Sequence, residues 1–420
     1  MSLSDMIDEY LFQSGVDKEE NITAIYSVRS RSLTKAAKGI AIGQSIGNPE
    51  VRTQRDSPEI FKNNLAKIVD ITETEPSKGI IQIAYPLANF DVYEDGVTQL
   101  LCTLMGGQMD IDTIESCRLL DVKFPQKLLD AYKGPKFGME NIKKRAGAIN
   151  RPLLGGIVKP KTGLTVPQLE EMVKEMLAGG VDFIKEDEIL GNPSFCRFNE
   201  RVKRISNLVN EFSAKQGREV FYTPCINSDY PYFLERAKFA SDNGIKAVHL
   251  NFHAGLPAYR ALRDLNLDNS AIFFQRSGIQ ILTNENHDFG IDWNVKCKLA
   301  RMIGCDFIHA GMWAGYHNDE KESLLRVMDS LRGESRYKAT IPSLSCGSHP
   351  GLVDTTINHF GTNLMMNVGG AMQGHPLGTT AGAKAMRQAF ECYQQHTNIY
   401  DFMKDKQELK LAIEKWGYVK

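Results

Sequence analysis

The chain has 420 residues, 42% of them hydrophobic, which is enough for one large core or two domains. Its 50 basic and 51 acidic side chains leave a net charge of −1 without a basic block, which argues against a nucleic-acid partner. No apolar run is long enough to span a bilayer, no signal-peptide pattern opens the chain, and the 8 cysteines are scattered without a CxxC pair, so we expect a cytoplasmic protein with reduced thiols and no membrane partner.

The first 145 residues predict a small α+β domain. NITAIYSVRS (21–30) has the pattern of a strand, 33–45 that of a helix, and KIVDITETE (67–75) with GIIQIAYPLANF (79–90) that of a strand pair. A helix over DGVTQLLCTLMGG (95–107) and a strand over SCRLLDVKFP (116–125) complete the order βαββαβ. This order is typical of a ferredoxin-like layer. We place its boundary near RAGAINRP, which predicts domains at 1–147 and 148–420.

The rest of the chain alternates short apolar runs with amphipathic helical runs, several of which end in glycine. Eight such units in about 240 residues predict a TIM (β/α)8 barrel. An open, doubly wound sheet is the alternative, although no GxGxxG follows the first strand. The eight predicted strands are LLGGIV (153–158), VDFIK (181–185), VFYTPCI (220–226), AVHLNF (247–252), AIFFQR (271–276), FIHAG (307–311), TIPSLS (340–345) and LMMNVGG (364–370).

A TIM barrel carries its active site at the carboxyl ends of its strands. In this sequence, polar residues and glycines stand at those ends. They are Lys159 and Lys161 after the first strand, Lys185, Asp187 and Glu188 after the second, Gln275 and Arg276 after the fifth, His309 in the sixth, Ser345 and Gly347 after the seventh, and Gly369 and Gly370 after the eighth.

The stretch VDFIKEDE (181–188) raises a chemical question, because a buried strand runs into a lysine and three carboxylates. The strand period places Lys185 and Asp187 on the same side, and Glu188 can turn inward after them. Two carboxylates about 4 Å apart repel by roughly 4 kcal/mol at an effective dielectric constant near 20, so a buried pair needs a cation, for which Mg²⁺ is suited. A solvated charged face, or a simple ion pair between Lys185 and Asp187, remains the structural alternative.

Four motifs resemble the large subunit of ribulose bisphosphate carboxylase (RuBisCO). They are GGIVKPKTGL (155–164), GVDFIKEDE (180–188), DFIHAGMWAG (306–315) and NVGGAMQGHPLGTTAGAKAMRQA (367–389), in matching order and spacing, and GPKFG (134–138) extends the match. Departures at other positions make the chain more similar to the RuBisCO-like proteins, which do not fix CO₂.

The resemblance implies a role for each matched residue. Lys185 matches the lysine that captures CO₂ as a carbamate, and Asp187 and Glu188 match the other two Mg²⁺ ligands. Lys159 matches the lysine that moves the proton during enolisation, and Lys161 matches its neighbour, which supports the metal site.

The same resemblance implies a substrate site beside the metal. Arg276 and His309 match phosphate-binding positions, and Ser345 matches a serine near the substrate. The backbone donors at Gly347, Gly369 and Gly370 also match phosphate contacts, which suits glycine-rich turns.

Four departures put carboxylation in doubt. Tyr316 occupies the position of the flexible-loop lysine, and Gln275 that of a histidine. The segment GQSIGNPE (43–50) replaces the one that supplies a glutamate, a threonine and a tryptophan to the partner subunit, and Gly107 replaces an asparagine.

The resemblance therefore implies a Mg²⁺-dependent enzyme that forms an enolate from a phosphorylated keto substrate, in a homodimer or larger homo-oligomer. We favour decarboxylation of a 3-oxo acid phosphate such as 3-oxo-isoapionate 4-phosphate. The alternatives are isomerisation of 5-methylthioribulose 1-phosphate, and the enolase reaction on 2,3-diketo-5-methylthiopentyl-1-phosphate, whose base would stand where the chain has Gly107. A sugar-phosphate binder without catalysis is the last alternative.

Overall fold

The computed structural model describes residues 3–48, 50–51 and 53–419, and these fall into two compact units. The first unit contains the described residues up to Lys133 together with Gly278–Leu299. The second contains Gly134–Ser277 and the described residues from Ala300 onwards. The boundary that we place between residues 147 and 148 stays a prediction.

The described residues form thirteen strands and eighteen α-helices. The strands are β1 (Asn21–Arg29), β2 (Lys67–Glu75), β3 (Lys78–Pro86), β4 (Ser116–Lys123), β5 (Leu153–Ile157), β6 (Phe183–Lys185), β7 (Phe221–Thr223), β8 (Ala247–Asn251), β9 (Ala271–Gln275), β10 (Phe289–Ile291), β11 (Phe307–Gly311), β12 (Ile341–Leu344) and β13 (Met365–Val368). The helices are α1 (Leu3–Leu11), α2 (Leu33–Gly43), α3 (Pro58–Asn64), α4 (Gly96–Leu104), α5 (Gln126–Asp130), α6 (Met139–Arg145), α7 (Val166–Ala178), α8 (Phe198–Gln216), α9 (Tyr232–Asp242), α10 (Leu256–Asp264), α11 (Gln280–Thr283), α12 (Trp293–Ile303), α13 (Lys321–Arg332), α14 (Val353–Phe360), α15 (Gly370–Gln373), α16 (Thr379–Gln394), α17 (Ile399–Phe402) and α18 (Gln407–Trp416). Within the part of the chain that is described, none of these helices combines the length and the apolar character that crossing a membrane requires.

The first unit is built on a five-stranded sheet with the order β10-β4-β1-β3-β2. Strand β1 pairs antiparallel with both β3 and β4, and β2 pairs antiparallel with β3. The predicted order βαββαβ is confirmed by β1, α2, β2, β3, α4 and β4. Strand β10, which pairs parallel with β4, was not predicted, because its three residues carry no readable alternation.

The second unit is an eight-stranded parallel barrel, and all eight predicted strands are confirmed. Its strand order is β7-β6-β5-β13-β12-β11-β9-β8. A single parallel bridge between Cys225 and His249 joins the two ends of this order, at the edge between β7 and β8. The alternative of an open, doubly wound sheet is therefore wrong.

Phenylalanine side chains fill the amino-terminal half of the barrel. The Phe183 ring centroid lies 5.0 Å from that of Phe307 and 5.7 Å from that of Phe273, and Phe221 contacts Phe307 edge-on at 6.2 Å. All four rings are fully buried. Because strand side chains alternate, Lys185 projects to the same side as Phe183, one layer nearer the carboxyl ends. The packed rings thus form the floor beneath any site at that end.

A buried carboxylate joins three arginines from different parts of the barrel. Asp182, which is fully buried, accepts hydrogen bonds from Arg151 at 2.6 Å, Arg218 at 3.0 Å and Arg387 at 2.6 Å. Its Oδ2 also accepts from the backbone N–H of Leu154 at 2.8 Å. This single side chain therefore connects the starts of β5 and β6 with the end of α8 and with α16.

We expect Asp182→Ala to lower the free energy of unfolding by about 3–5 kcal/mol, because three guanidinium groups would lose their shared buried anion. Urea unfolding followed by circular dichroism measures this loss. Asp242→Ala is the matched control, since Asp242 pairs with Lys238 at 3.1 Å on the surface, where both side chains are more than half exposed. Equal midpoints for the two variants would contradict the structural role of Asp182.

Candidate active site

A cavity of about 460 Å³ opens at the carboxyl ends of the barrel strands. The loops and strand ends of the barrel bring ten of the predicted site residues to its wall. These are Lys159, Lys161, Lys185, Asp187, Glu188, His309, Ser345, Gly347, Gly369 and Gly370. Of the predicted site residues, Arg276 is not among the cavity-lining side chains.

Two lysine–carboxylate pairs occupy the floor of the cavity. Lys185 is 2% exposed, and its Nζ lies 3.5 Å from Glu188 Oε2 and donates to the backbone carbonyl of Glu186 at 2.8 Å. Lys159 Nζ donates to Asp187 Oδ2 at 2.8 Å. The ion pair that we considered between Lys185 and Asp187 is therefore replaced by crossed pairs, Lys185 with Glu188 and Lys159 with Asp187.

Burial changes the protonation chemistry of both partners in the Lys185–Glu188 pair. Desolvation lowers the pKa of Lys185, although the negative charges of Glu188 and Asp187 oppose it. Burial alone would raise the pKa of Glu188, but the Lys185 charge and hydrogen bonds from neighbours hold it well below its usual range. Lys185 consequently loses its proton more readily than an exposed lysine does, while Glu188 stays ionised.

Glu186, between the two inward residues, points away from the cavity into a buried network. Its carboxylate pairs with Arg201 of α8 at 2.8 and 3.0 Å, accepts from the Cys225 backbone N–H at 2.8 Å, and accepts from the Tyr222 hydroxyl. Glu186 and Arg201 are both fully buried. This network fixes the backbone between Lys185 and Asp187, and so separates the structural acid of the KEDE run from the acids that face the cavity.

Gln275 connects the carboxylate pair to His309. Its Nε2 donates to Glu188 Oε2 at 2.7 Å, so its Oε1 faces His309 Nδ1 at 3.1 Å. His309 Nδ1 must then carry the proton, since an amide oxygen only accepts. Burial lowers the pKa of His309 well below its ordinary value, in agreement with a neutral ring.

Asn367 of β13 is a cavity residue that the sequence reasoning missed. It is 1% exposed, and neither atom of its side-chain amide has a hydrogen-bond partner among the described residues. A Cβ at Gly155 would collide with its Oδ1, so this glycine leaves room for the amide. Because a buried amide without partners costs free energy, Asn367 is suited to bind a polar ligand group. A polar residue inside the apolar run LMMNVGG was the signal available in the sequence.

The glycines of the predicted phosphate end lie close to Lys159. A Cβ at Gly369 would stand 3.3 Å from Lys159 Cε, while one at Gly370 would meet no atom within 4 Å. Gly347 has a φ of +126°, and a Cβ there would stand 2.6 Å from the backbone nitrogen of Tyr316. The loop that carries Tyr316 therefore approaches the Gly347 turn by backbone contact, which only a glycine permits.

Arg276 is held by partners of its own chain. Its Nη1 donates to the Ala310 carbonyl at 2.8 Å, and its Nη2 lies 3.4 Å from Asp319 Oδ1 and 3.2 Å from His317 Nε2. The residue is 6% exposed. Its predicted contact with a phosphate stays a prediction, as do the roles of the other site residues.

In the first unit, the segment GQSIGNPE is described except for Pro49, which lies outside the described residues. Gln44 Nε2 donates to the carbonyls of Cys102 and Thr103 at 2.9 and 2.8 Å, and its Oε1 accepts from the Gln108 backbone N–H at 3.1 Å. This amide is therefore used to join the end of α2 to the end of α4.

Comparison with known proteins identifies the family. Residues 138–416 match the model of the ribulose bisphosphate carboxylase large chain, catalytic domain, and residues 9–128 match that of its N-terminal domain. The ribulose bisphosphate carboxylase of Pyrococcus furiosus is 32% identical over 419 residues, covering 99% of this chain and 95% of that protein. The chain therefore belongs to the RuBisCO large-chain family.

Solved structures of this family superpose closely on the chain. The octameric Rubisco of Pyrococcus horikoshii, in complex with sulfate, has a TM-score of 0.92 at 30% identity and covers 98% of this chain and 97% of its own. A rubisco-like protein from Alicyclobacillus acidocaldarius has a TM-score of 0.86 at 29% identity, with 95% of this chain and 100% of its own covered. Both a carboxylase and a rubisco-like protein thus share the fold, and the fold does not separate the two activities.

Proposed function

We propose that this member of the RuBisCO large-chain family is an enzyme that forms an enolate from a phosphorylated keto sugar or 3-oxo sugar acid, with Mg²⁺ and a carbamylated Lys185. The reaction that we favour is decarboxylation of a 3-oxo acid phosphate, such as 3-oxo-isoapionate 4-phosphate. One observation carries the proposal: the buried Lys185 amine lies 3.5 Å from Glu188 in a barrel cavity that Asp187 and its partner Lys159 also line. We also propose a homo-oligomer, which the octameric state of the Pyrococcus horikoshii relative supports.

The donor set fits a magnesium ion once Lys185 is carbamylated. Among the described residues, no group of three histidine, cysteine, aspartate or glutamate side chains could hold a metal. Asp187 and Glu188 supply two hard oxygen donors at the cavity floor, and a carbamate on Lys185 would supply the third. When bound, Mg²⁺ would polarise a carbonyl oxygen as a Lewis acid.

The environment of Lys185 favours the chemistry that makes this carbamate. A neutral amine attacks CO₂, forms the N–C bond, and releases one proton. Burial lowers the pKa of Lys185, which raises the fraction of neutral amine, although the charge of Glu188, 3.5 Å away, opposes this shift. Replacing a cation by an anion there leaves three acidic groups together, which a divalent cation would neutralise.

Decarboxylation forms the enolate without a catalytic base, whereas enolisation by proton abstraction requires one. Cleavage of the bond to the carboxylate releases CO₂ and leaves the electron pair on the keto group as an enolate, which then takes one proton at carbon. Lys159 is a cavity-lining ammonium beside Asp187 and is suited to deliver that proton. Asn367 adds an amide without a partner among the described residues, which can hold a hydroxyl or carbonyl oxygen of the substrate.

The isomerase and enolase reactions on methylthio-pentose phosphates are the competing activities within the family. The enolase hypothesis requires a base at position 107, where the chain has a glycine. Isomerisation keeps every carbon of the substrate, so release of CO₂ distinguishes it from decarboxylation. A binder without catalysis would turn over none of these compounds.

Carboxylation is the reaction named for the Pyrococcus relatives, and the cavity argues against it here. A carboxylase must hold the new carboxylate as it forms, and Tyr316 is the cavity residue at the loop position of the family's lysine. Tyr316 is 86% exposed, and a phenol with an ordinary pKa near 10 is neutral at neutral pH. Loss of one preorganised charge contact costs about two to three powers of ten in rate.

We expect Lys185→Ala to abolish both Mg²⁺-dependent turnover and the bicarbonate-dependent part of Mg²⁺ affinity, because the third anionic ligand cannot form. Lys185→Arg should fail equally, since a guanidinium keeps the charge but does not form a carbamate. Titration calorimetry with Mg²⁺, and carbon-13 NMR with labelled bicarbonate, measure these losses. Lys238→Ala, at a surface lysine, is the control. A carbamate signal that persists in Lys185→Ala would place the modification elsewhere.

The decarboxylase proposal predicts CO₂ release and one deuteron in the product when 3-oxo-isoapionate 4-phosphate is turned over in D₂O. We expect Lys159→Met to lower the rate of deuteron delivery by about 10²–10⁴-fold while the substrate still binds. Proton and phosphorus NMR follow both products, and Lys174→Met, at an exposed lysine of α7, is the control. Absence of CO₂ together with turnover of 5-methylthioribulose 1-phosphate would make the protein an isomerase.

We expect no carboxylation of ribulose bisphosphate above background. The protein is incubated with ribulose bisphosphate, Mg²⁺ and labelled bicarbonate, and acid-stable label in phosphoglycerate is counted against the Lys185→Ala variant. Label that accumulates above this control would show that the protein is a carboxylase.

A further inference from the structure

Three side chains of the cavity wall form a chain of hydrogen bonds. Glu188 Oε2 accepts from Gln275 Nε2 at 2.7 Å, and Gln275 Oε1 lies 3.1 Å from His309 Nδ1. All three residues line the cavity, and Gln275 and His309 are only 4% and 6% exposed. The chain therefore leads from the carboxylate after β6, through the last residue of β9, to the imidazole of β11.

The carboxylate sets the direction of every bond in this chain. Burial alone would raise the pKa of Glu188, but the Lys185 charge and neighbouring hydrogen bonds hold it well below its usual range, so the group is ionised. An ionised carboxylate only accepts, so Gln275 turns its amide nitrogen to Glu188 and its oxygen to His309. His309 must then donate from Nδ1 to that oxygen.

The other ring nitrogen of His309 carries a lone pair. Burial lowers the pKa of His309 well below its ordinary value, and the positive charges of Arg276 and Lys185 lower it further, while Glu188 opposes them. The ring is therefore neutral and holds one proton, which the Gln275 contact places on Nδ1. Nε2 of a neutral imidazole with this tautomer is a hydrogen-bond acceptor.

The donor that faces this acceptor among the described hydrogen bonds is weak. Cys346 Sγ lies 4.0 Å from His309 Nε2, and Cys346 also lines the cavity. Burial raises the pKa of the Cys346 thiol, so the sulfur keeps its proton. Because a thiol is a weak donor and this contact is long, a hydroxyl group of a ligand would be a better partner for Nε2.

A phosphate is a poor partner for the same nitrogen. Phosphate oxygens act as strong acceptors, and two acceptors that face each other repel. A phosphate contact would require a second proton on the His309 ring, which burial and two neighbouring cations oppose. The resemblance places His309 at a phosphate-binding position, whereas the hydrogen bonds of this chain prepare it to receive a donor.

We propose that His309 Nε2 accepts a hydrogen bond from a hydroxyl group of the ligand, so that the cavity selects hydroxylated keto phosphates. This inference rests on the proposed function in taking the ligand to be a phosphorylated keto sugar or sugar acid, and 3-oxo-isoapionate 4-phosphate carries such hydroxyl groups. It makes His309 a binding residue and Gln275 a positioning residue, since Gln275 acts through the His309 ring.

Binding without turnover tests the proposal. Calorimetric affinities are measured, without Mg²⁺ or bicarbonate, for ribulose 5-phosphate and for pentan-2-one 5-phosphate, which has the same carbon chain, keto group and phosphate but no hydroxyl. In the unchanged protein, ribulose 5-phosphate should bind about tenfold tighter. In His309→Phe, which keeps a ring and removes the acceptor, this ratio should fall by about three- to tenfold.

The ratio separates the two roles of His309, because both probes carry the same phosphate. If His309 held the phosphate, His309→Phe would weaken both probes equally and leave the ratio unchanged, which would overturn the proposal. His287→Phe is the matched control at an exposed histidine, and we expect it to keep the ratio of the unchanged protein. An equal fall in both variants would also overturn the proposal.

Two measurements on the unchanged protein do not depend on the folding of a variant. Equal affinities for the two probes would overturn the proposal. Nitrogen-15 NMR with labelled histidine should show a buried ring with its proton on Nδ1, and its Nε2 signal should shift with ribulose 5-phosphate but not with inorganic phosphate. A buried ring protonated at Nε2 in the cavity would contradict the proposal.

Gln275→Leu tests the positioning role, because it removes the acceptor that holds the proton on His309 Nδ1. We expect the NMR signals of one histidine to lose the Nδ1 preference, which also assigns them to His309. Unchanged signals in the folded variant would overturn the role of Gln275. A negative decarboxylase assay with the binding results intact would refute the proposed reaction and leave the role of His309 standing.

Discussion

The site depends on one constraint: a lysine amine buried on a floor of phenylalanine rings. Lys185 Nζ lies 6.0 Å from the centroid of the Phe273 ring and has almost no access to water. A buried ammonium is costly unless it is paired, and Glu188 with the Glu186 carbonyl offsets only part of that cost. Loss of the proton would remove this cost, and it is also the step that the proposed carbamate on Lys185 requires. The packing of the barrel core therefore prepares the chemistry above it.

The same strand separates structural from functional charge by alternation. Lys185 and Asp187 face the cavity, while Glu186 between them faces α8 and pairs with Arg201. Because the Glu186–Arg201 pair is fully buried, it fixes the backbone at the point where the proposed metal ligands leave the strand. A one-residue slip would exchange the two sets, so the buried pair also sets the register of the site.

The sequence predicts the strands and the position of the site, and it fails where distant residues meet. Periodicity and turn signals identify all eight barrel strands, since each buried strand carries a compact apolar run. They do not identify the partners of Arg276, because Asp319 lies 43 residues away in a loop without periodicity. Asn367 shows the same limit, because the space for its side chain depends on Gly155, more than 200 residues earlier.

At about 30% identity, this chain shares the scaffold with its relatives, and the loops supply the residues at the ends of the cavity. The proposed metal ligands lie on a strand end that core packing holds, whereas Tyr316 and Asp319 lie on one loop that hydrogen bonds within the loop shape. A change of substrate therefore requires change in that loop and little change in the barrel. If the loop carries a tyrosine where a carboxylation needs a cation, a change in this loop alone separates the proposed reaction from carboxylation. The proposed substrate agrees with this division, because a 3-oxo acid phosphate that loses CO₂ yields its enolate without a cation to hold a new carboxylate.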